Sequence, residues 1–320
     1  ERRDNIKREN NNPTMLETIS SVSYLVADIM LMWLRVFLGM IESIYLKIQP
    51  PKEKSVVGEI VLISGTGHGI GRELATQYAS LGATVVCLDI NENSNNETVQ
   101  LIKDQGYHNV HSYKCDVSNQ EDIKSVAEKI RKEVGEVTVL VNNAGIMPCK
   151  PFTSTSTSDI KKVFDINVFA HLWMLNEFLP DMVRKNHGHV VAVSSMAGIL
   201  GLSNLVPYCA SKFAVRGLME AIAEETRENF SQSEVKFTVI YPYIVDTGLC
   251  KKPRIKFPGL LAIVSPSDAA KQIIKAMRLN QTEISIPSGL LTVNNVLRLF
   301  PVKVCRVVKD FLDSGLEAHD

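Results

Sequence analysis

The chain has 320 residues, of which 45% are hydrophobic, and its 35 basic and 35 acidic side chains give a formal net charge of zero. This length suffices for one large α/β domain with an additional segment, and the balanced charge, without a run of lysine or arginine, argues against nucleic acid as a partner. The six cysteines are scattered without Cys-x-x-Cys or metal-ligand spacing, so we expect free thiols in a reducing compartment and no metal site.

The N-terminal region divides into a polar part and an apolar part. Residues 1–14 are rich in asparagine and precede Met15, and we interpret them as a disordered or non-native leader. Residues 15–50 contain the long apolar stretch of the region, and we predict a membrane-anchoring helix there.

The predicted anchor carries charges that decide how it meets a membrane. A spanning helix needs about twenty mostly apolar residues, which 22–41 supply. Asp28, Arg35 and Glu42 recur every seven residues and therefore share one helix face. Each charge near the bilayer centre costs about 2.5–3.5 kcal/mol, which roughly cancels the gain from the apolar residues. We therefore favour a helix lying in the membrane interface over a spanning one, and over a cleaved signal peptide or a soluble helix packed on the domain.

The predicted catalytic domain, 51–320, begins with a strand, closely spaced glycines and a helix. Residues 59–63 have the pattern of a buried parallel strand, and the glycine-rich segment 64–71 leads from it into a helix. Glycines let the backbone approach a pyrophosphate, which the free N–H groups of a helix N-terminus bind, although a glycine turn alone is as often a plain loop. A second strand, 84–88, ends in Asp89. A carboxylate there accepts both ribose hydroxyls of NAD and repels the 2′-phosphate of NADP, so the order of these elements predicts an NAD site.

Strand-like and helical runs alternate along the rest of the domain, which predicts an α/β fold, a doubly wound parallel sheet of the Rossmann type. Five further strands bring the total to about seven; they are predicted at 111–116, 137–141, 189–195, 236–241 and 284–287. Ser158 is the predicted N-cap of a long helix through Asn167 to Leu179, which we expect Pro180 to interrupt.

A tyrosine and a lysine in the second half of the chain have the spacing of a proton-transfer pair. Tyr208 and Lys212 are four residues apart and therefore share one helix face. Ser195, next to Ser194, ends the strand upstream of them. A nearby cation favours an ionised phenol, so we expect Lys212 to lower the pKa of Tyr208 and the pair to move a proton on and off an alcohol oxygen. A surface tyrosine and lysine on an ordinary helix would match the same pattern; the predicted dinucleotide site favours the catalytic interpretation.

The connection between Thr247 and Ser265 is unusually long for this fold, and we predict that about 248–265 form a lid over the substrate pocket. It combines apolar and basic side chains: Leu249, Ile255, Phe257, Leu260, Leu261 and Ile263 with Lys251, Lys252, Arg254 and Lys256. This composition favours a lid at a lipid surface, under which a lipophilic alcohol enters from the membrane. An ordinary covered loop with solvated lysines would have the same composition.

From Val56 to Phe311 the chain resembles the short-chain dehydrogenase/reductase family. The matching elements are the glycine turn with Ser64 in place of threonine, Asp116, the run from Asn142 to Gly145, Asn167, Ser195, Tyr208 with Lys212, and the segment from Pro242 to Thr247, where Tyr243 replaces a glycine. Together with the apolar N-terminus, the runs 55–63, 67–72, 186–191 and 208–214 are similar to a membrane-associated group of retinol and 17-beta-hydroxysteroid dehydrogenases.

The resemblance implies a role for each matched residue. Tyr208 would be the general acid/base, and Lys212 would bind the nicotinamide ribose. Ser195 would position the substrate oxygen, and Asn167 would anchor a water that relays the proton from Lys212. NAD is the implied cofactor, bound by Gly65, His68, Gly69, Ile70, Gly71, Asp89, Asp116, Val117, Asn143, Ala144, Gly145, Tyr208, Lys212 and Thr247.

The resemblance also implies a substrate class and a location. We expect NAD-linked interconversion of a retinoid, steroid or related long-chain alcohol with its ketone or aldehyde. The location would be the endoplasmic reticulum membrane or a lipid droplet, with the catalytic domain in the cytosol and a homodimer through the helices of Asn167 and Tyr208. Three competing functions stay open: an NADPH-linked carbonyl reductase, which Asp89 argues against; a catalytically idle lipid-droplet scaffold, which Ser195, Tyr208 and Lys212 argue against; and a soluble sugar or polyol dehydrogenase, which would not sediment with membranes.

Overall fold

A computed structural model describes residues 15–230, 232–257, 259, 261–312 and 315–318 of the chain. The predicted leader, 1–14, lies outside the described residues. The chain divides into two units, 1–52 and 53–320.

The first unit contains helix α1 (Met15–Ile48). All side chains from Ser20 to Leu46 are exposed, including the apolar ones. This stretch is long and apolar enough to cross a membrane. A signal sequence near an N-terminus meets the same criteria of length and composition. Asp28, Arg35 and Glu42 lie within it, so its exposed surface is apolar with one charged face.

The second unit is built on a parallel sheet. Its strands are β1 (Ile60–Ser64), β2 (Thr84–Asp89), β3 (Val110–Lys114), β4 (Val139–Asn142), β5 (His189–Val193), β6 (Lys236–Pro242), β7 (Pro253–Arg254), β8 (Glu283–Ile286) and β9 (Gly315–Leu316). Within the described part of the chain, seven of them form one sheet in the order β3-β2-β1-β4-β5-β6-β8, and β7 pairs with β9 separately. Every neighbouring pair in the large sheet is parallel, which confirms the predicted doubly wound fold.

Helices cover both faces of this sheet. The helices in the described part of this unit are α2 (Gly69–Ser80), α3 (Glu92–Asp104), α4 (Gln120–Glu133), α5 (Thr157–Phe164), α6 (Ala170–Lys185), α7 (Val206–Asn229), α8 (Pro266–Arg278), α9 (Leu290–Leu297) and α10 (Val302–Leu312). Successive residues of a strand face opposite sides, so in β1 Val61 and Ile63 pack towards α2, α3 and α8, whereas Leu62 packs towards α4, α6 and α7. Burial on both faces explains why these strands are continuously apolar.

Two local predictions were wrong. The N-cap of α5 is Ser156 rather than Ser158, because Ser156 and Asp159 cap each other: the Ser156 hydroxyl accepts the Asp159 N–H at 3.1 Å and the Asp159 carboxylate accepts the Ser156 N–H at 3.2 Å. Pro180 does not interrupt its helix, since α6 continues to Lys185. Buried Phe178 and Met182 on either side of the proline pack into the core and offset its cost of about 3 kcal/mol.

The parallel sheet brings the predicted functional residues to one edge. All its strands end at the same side, so the residues that follow β1, β2, β4, β5 and β6 meet there. The opposite edge holds the start of the second unit, where the Lys54 N–H donates to the carbonyl oxygen of Arg278 and its Nζ lies 2.8 Å from Nδ1 of His189.

Candidate active site

The glycine turn between β1 and α2 is so tight that its last position admits only glycine. A Cβ on Gly71 would overlap the carbonyl oxygen of Gly65 and would lie 2.8 Å from Nδ2 of Asn143. Gly69 has φ +58°, a left-handed conformation that glycine adopts without strain. The first turn of α2 therefore lies directly against the end of β1, and it contains no acidic side chain that would compete with a phosphate for its N–H groups.

Asp89 fixes the loop beside the glycine turn. Its Oδ2 accepts the N–H of Gly67 at 2.8 Å, and its Oδ1 accepts the N–H of Asn91 at 2.8 Å. Each oxygen keeps a second lone pair, so the carboxylate can still accept ribose hydroxyls. These two bonds hold the carboxylate in one orientation beside the glycine turn.

The ends of β1 and β4 are joined by a hydrogen-bonded cluster. The Ser64 hydroxyl accepts the N–H groups of Asn143 and Ala144, both at 3.1 Å, and Nδ2 of Asn143 donates to the Ser64 carbonyl oxygen at 2.9 Å. Serine supplies here the hydroxyl that threonine supplies in the family pattern. Asn143 therefore ties the end of β4 to β1, and together with Ala144 and Gly145 it lines the cavity at this edge.

The two serines after β5 have different roles. The Ser194 hydroxyl donates to the carbonyl oxygen of Lys212 at 2.9 Å and ties the strand to α7. The Ser195 hydroxyl donates to the carbonyl oxygen of Pro242 at 3.3 Å and also hydrogen-bonds Tyr208. Ser195 is thus the serine beside the tyrosine, as predicted.

Tyr208 lies in the first turn of α7 and is only 7% exposed. Burial raises its pKa to about 12, the hydrogen bond with Ser195 opposes that rise, and the thiols of Cys209 and Cys250 add to it. We expected Lys212 to lower this pKa; instead the pKa is raised, because loss of solvent around the phenol has the largest effect. With this raised pKa, the phenol of Tyr208 is protonated at neutral pH.

Lys212 lies one turn further along α7, with its Nζ 5.8 Å from the centre of the Tyr208 ring. Nζ donates to the carbonyl oxygen of Val193 at 2.8 Å, and the side chain is 3% exposed. Burial lowers its pKa to about 8. An ammonium group has three N–H donors, so two remain for partners in the cavity or behind it.

Asn167 lies behind the cavity wall, in a π-helical segment, Asp165–Phe169, between α5 and α6. It is fully buried. Its Oδ1 accepts the N–H of Ile146 at 2.9 Å, and its Nδ2 donates to the carbonyl oxygen of Ile146 at 2.9 Å and to the Ser211 hydroxyl at 3.1 Å. Both amide hydrogens are used, so the side chain fixes the loop after β4 against α7. Its role as a water anchor stays a prediction.

One cavity of about 340 Å³ collects these groups at the carboxyl edge of the sheet. Ser195 and Tyr208 line it together with Lys212. All predicted cofactor residues except Gly71 line it: Gly65, His68, Gly69, Ile70, Asp89, Asp116, Val117, Asn143, Ala144, Gly145, Tyr208, Lys212 and Thr247. Gly71 is buried beneath the turn that it makes possible. The structure therefore brings the predicted dinucleotide residues and the predicted proton-transfer residues to one continuous surface.

The segment after β6 contains Tyr243, where the family pattern has glycine. This residue does not have a left-handed backbone, and its N–H donates to the carbonyl oxygen of Ile286 at 2.7 Å. A tyrosine is therefore accommodated where the family pattern has glycine. Thr247 packs on the glycine turn, with its Cγ2 3.0 Å from where a Cβ on Gly69 would lie.

The predicted lid is closed at its base and only partly lines the cavity. The Asp246 N–H donates to the carbonyl oxygen of Val264, and the Val264 N–H donates to that of Ile244, both at 3.0 Å. Leu249 lines the cavity, whereas Leu261 is buried away from it and Ile263 is exposed. Leu260 lies outside the described residues. The four basic side chains are exposed: Lys251, Lys252, Arg254 and Lys256.

A segment near the C-terminus, missed by the sequence analysis, completes the cavity. Strand β9 pairs antiparallel with β7 of the lid, and its Gly315 and Leu316 line the cavity. The carbonyl oxygen of Leu316 accepts Nδ2 of Asn204 at 3.1 Å, and its side chain packs on an apolar cluster that includes Tyr208. The Phe311 ring of α10 also contacts Phe257 of the lid, with ring centres 5.2 Å apart. A two-residue strand leaves no periodic pattern, so the sequence offered no signal for it.

The cavity wall around Tyr208 is largely apolar. Met147, Leu202, Leu205 and Leu316 form one apolar cluster with Tyr208, and Leu249 also lines the cavity. Cys250 of the lid also faces it, and burial raises the pKa of that thiol to about 11. A hydroxyl group bound between Ser195 and Tyr208 would therefore belong to a molecule with an apolar body.

Comparison with known proteins gives the following matches. The family profile of short chain dehydrogenase matches residues 59–256. Epidermal retinol dehydrogenase 2 of Mus musculus is 40% identical over 284 residues, which cover 87% of this chain and 92% of that protein. Short-chain dehydrogenase/reductase family 16C member 6 of Bos taurus is 42% identical over 257 residues, covering 79% and 81%. Estradiol 17-beta-dehydrogenase 11 of Homo sapiens is 37% identical over 282 residues, covering 88% and 92%.

Solved structures agree on the fold. A metagenomic short-chain oxidoreductase in complex with NADP aligns with a TM-score of 0.61 at 27% identity, covering 72% of this chain and 97% of that one. A short chain dehydrogenase/reductase from Burkholderia phymatum in complex with NAD aligns with a TM-score of 0.69 at 24% identity, covering 83% and 98%.

Proposed function

The chain belongs to the short-chain dehydrogenase family, and from this we propose that it is an NAD-dependent enzyme interconverting a lipophilic alcohol with its ketone or aldehyde. The observation that carries the proposal is the shared cavity: Tyr208, Ser195 and Lys212 line the same surface as the glycine turn and Asp89. A dehydrogenase needs proton transfer beside a dinucleotide, and this arrangement supplies both.

The residues fit a dinucleotide. The turn at Gly71 leaves no room for a Cβ, so backbone and phosphate can approach each other, and the N-terminus of α2 offers N–H groups to the pyrophosphate. All four polar residues Asp89, Asp116, Thr247 and Lys212 line the cavity. We assign the adenosine to the first two and the nicotinamide to the last two. Bound in this cavity, NAD would supply the acceptor for the hydride of the alcohol carbon.

The protein's own residues handle the proton. Ser195 hydrogen-bonds the substrate oxygen and keeps it against Tyr208. Tyr208 takes the hydroxyl proton during oxidation and returns it during reduction, and the Lys212 ammonium, 5.8 Å from the ring centre, stabilises the tyrosinate that forms. The pKa of Lys212, lowered to about 8 by burial, lies close to working pH, which lets the lysine pass the proton on.

Asp89 favours NAD over NADP. Its carboxylate is held by two backbone N–H groups, so it cannot turn away from a 2′-phosphate without breaking both bonds. An NADPH-linked reductase would need a cation there. Comparison of the dissociation constants for NAD and NADP tests this directly, and tighter binding of NADP would refute the assignment.

The substrate class follows from the apolar cavity wall and from the relatives. Leu202, Leu205, Leu249 and Leu316 surround the space next to Tyr208. Similar chains carry the names retinol dehydrogenase and estradiol 17-beta-dehydrogenase, so we assign a retinoid, a 17-beta-hydroxysteroid or a related long-chain alcohol to this space.

We also assign the protein to a membrane or lipid-droplet surface of the endoplasmic reticulum, with the catalytic domain in the cytosol. Two features support this: the exposed apolar side chains of α1 and the four exposed basic residues of the lid. Replacement of Lys251, Lys252 and Arg254 by Glu should weaken binding to anionic liposomes and turnover of membrane-delivered substrate. A change in solubility alone would refute the lid's part in this.

A homodimer through α6 and α7 completes the proposal. Phe169 and Leu172 at the start of α6 and Phe213 on α7 are exposed apolar side chains, as expected of a surface that a second copy covers. Sedimentation of the full chain in detergent, compared with a Phe213→Glu variant, tests this; equal masses at the monomer value would refute the dimer.

The deciding experiment is a screen of NAD reduction by the full chain in detergent micelles, with retinol, estradiol, androgens and fatty alcohols. Tyr208→Phe removes the general base and should slow turnover by about 10²-fold or more, whereas NAD binding should persist. If no substrate is turned over faster by the wild type than by Tyr208→Phe, a nucleotide-binding scaffold explains the chain better. Loss of membrane sedimentation when residues before Pro50 are deleted separates a membrane enzyme from a soluble polyol dehydrogenase.

A further inference from the structure

The two helices near the C-terminus, α9 and α10, expose a set of large apolar side chains. In α10 these are Val304, Val307 and Phe311, which recur at i, i+3 and i+7 and therefore share one helix face. Val293 and Val296 of α9 are also exposed, as are two residues between the helices, Leu299 and Phe300. We refer to these seven residues as the C-terminal apolar surface. Single exposed apolar residues are ordinary, whereas a set on consecutive helices indicates a binding surface.

Hydrogen bonds to the domain fix the orientation of these helices. Nζ of Lys309 donates to the carbonyl oxygen of Gly201 at 2.7 Å, and the Arg298 guanidinium donates to the carbonyl oxygen of Ile199. Within the pair, Sγ of Cys305 in α10 donates to the carbonyl oxygen at the end of α9 at 3.1 Å. One side of α10 is therefore held by the domain, and the face with Val304, Val307 and Phe311 is left uncovered.

The charge around this surface is strongly positive, although the chain as a whole is neutral. Residues 248–265 of the lid contain four basic side chains and no acidic one, and residues 290–312 contain four basic side chains and one acidic one, Asp310. Two of the basic residues of α10, Lys303 and Arg306, are exposed. An apolar helix face beside lysine and arginine is typical of a helix that lies in the interface of an anionic membrane. A second copy of the chain would instead place positive charge against positive charge.

The C-terminal apolar surface is continuous with the lid and the cavity wall. Nζ of Lys256 in the lid lies 5.3 Å from the ring centre of Phe311 and 5.5 Å from that of Phe257. Strand β9 follows α10 directly, and its Gly315 and Leu316 line the cavity. A membrane on this surface would therefore adjoin the two segments that close the cavity, β9 and the lid.

We propose that the C-terminal apolar surface, with the basic residues of α10 and the lid, binds the surface of a membrane that contains anionic lipids. The inference rests on the proposed function for the membrane location, and it adds a second membrane contact, within the catalytic domain, to the one assigned to α1. Lipid would then border the lid and β9, so an apolar alcohol could reach the cavity between them without crossing water.

Tryptophan fluorescence of the full chain in liposomes tests the contact. The liposomes contain phosphatidylserine and lipids brominated on their acyl chains, and Trp33→Phe removes the tryptophan of α1 from every variant. An interfacial helix reaches about 5–10 Å into the boundary of headgroups and acyl chains, so bromine should quench the tryptophan of Leu299→Trp about twofold. Tyr107→Trp is the matched control, because Tyr107 is exposed between α3 and β3, before the start of a strand and thus away from the cavity edge. Its fluorescence should not change.

Charge reversal tests the electrostatic part of the contact. Each basic residue near an anionic surface strengthens binding about fivefold. Lys303→Glu with Arg306→Glu, introduced into the Leu299→Trp chain, should therefore remove the quenching. Lys124→Glu with Lys129→Glu, which reverses two exposed charges on α4, should leave it intact.

The outcomes separate this inference from the proposed function. Flotation of each variant with the liposomes checks that the chain is bound. Equal quenching in Leu299→Trp and Tyr107→Trp, or quenching that survives reversal of Lys303 and Arg306, would overturn the inference. A Leu299→Trp emission that depends on protein concentration and not on bromine would assign the surface to a second copy and overturn it as well. If the quenching is as expected and no alcohol is oxidised, the proposed enzyme fails and the membrane contact stands.

Discussion

Gly71 offers the sharpest test of the cofactor site, because the structure shows what an added methyl group would meet. In Gly71→Ala the Cβ would lie 2.7 Å from the carbonyl carbon of Gly65 and would overlap its oxygen. Both are backbone atoms at the end of β1, so neither can turn aside as a flexible side chain would. Overpacking of this kind typically costs about 1–3 kcal/mol, and we expect the upper end, about 3 kcal/mol.

That cost should appear both in stability and in cofactor binding. For a domain of this size, about 3 kcal/mol corresponds to a fall in Tm of about 6–12 °C. Thermal unfolding of the full chain in detergent measures it, with and without NAD. The wild type should gain about 2.7 kcal/mol at an NAD concentration of one hundred times Kd, and Gly71→Ala should gain little because the turn is displaced.

Gly217 supplies the matched control. It is exposed in the middle of α7, and an added Cβ would have nothing within 4 Å. Gly217→Ala should therefore stabilise the protein by about 0.5–1 kcal/mol and leave NAD binding unchanged. If Gly71→Ala unfolds within 2 °C of the wild type and binds NAD equally well, the tight approach of α2 to β1 does not exist.

Three further predictions follow from the site and the core. Asp89→Asn should weaken NAD binding by about 10–100-fold and tighten NADP binding, both measured by calorimetry. The same change at the exposed Asp104, Asp104→Asn, should alter neither affinity. An unaltered preference for NAD over NADP in Asp89→Asn would show that Asp89 does not contact the ribose. Leu316→Ala should raise the KM for a long-chain alcohol about tenfold and leave the KM for short alcohols unaffected. Val307→Ala, at an exposed position, is the control. Equal effects on long and short alcohols would show that Leu316 does not contact the substrate chain. Burial, with the charges of Lys54 and Lys236, lowers the pKa of His189 to about 2, below its usual 6.5. As the pH falls, His189 is therefore protonated in the unfolded chain before it is protonated in the folded protein. The pKa of His171 is lowered in the same way, to about 3. The free energy of unfolding should therefore be highest above pH 6.5, and below that pH the two histidines together should lower it by about 2.7 kcal/mol per pH unit. Urea unfolding between pH 7.5 and 5 checks this, and a flat profile would mean that these rings are charged in the folded protein.

The sheet and the cofactor turn were predictable because each depends on local pattern. A strand buried on both faces is continuously apolar, so β1 and β5 were recognisable in the sequence. The glycines after β1 and Asp89 after β2 indicated that the site lies at the edge where the parallel strands end. Tyr208 and Lys212 were predictable from helical spacing together with the dinucleotide pattern that precedes them.

Other features depend on contacts between distant segments, which no local pattern records. Burial raises the pKa of Tyr208, and part of the cluster that buries the phenol is Leu316 of the distant strand β9. Leu316 is held at the cavity by the pairing of β9 with β7 and by Asn204, which are far from it in the sequence. Ser156 rather than Ser158 caps α5, because the serine three residues before Asp159 completes a reciprocal pair.

The lid has a property that protein engineers can use. Asp246 and Val264 are joined by a backbone hydrogen bond, so the intervening connection leaves and rejoins the fold at one point. A loop whose ends are already held together tolerates a new length cheaply, since each doubling costs only about 0.6 kcal/mol. We therefore expect that the stretch between these two residues can be replaced by the corresponding loop of a relative, in order to change the selectivity for substrate. Such a graft should bring its own C-terminal strand, because β7 and β9 form a matched pair.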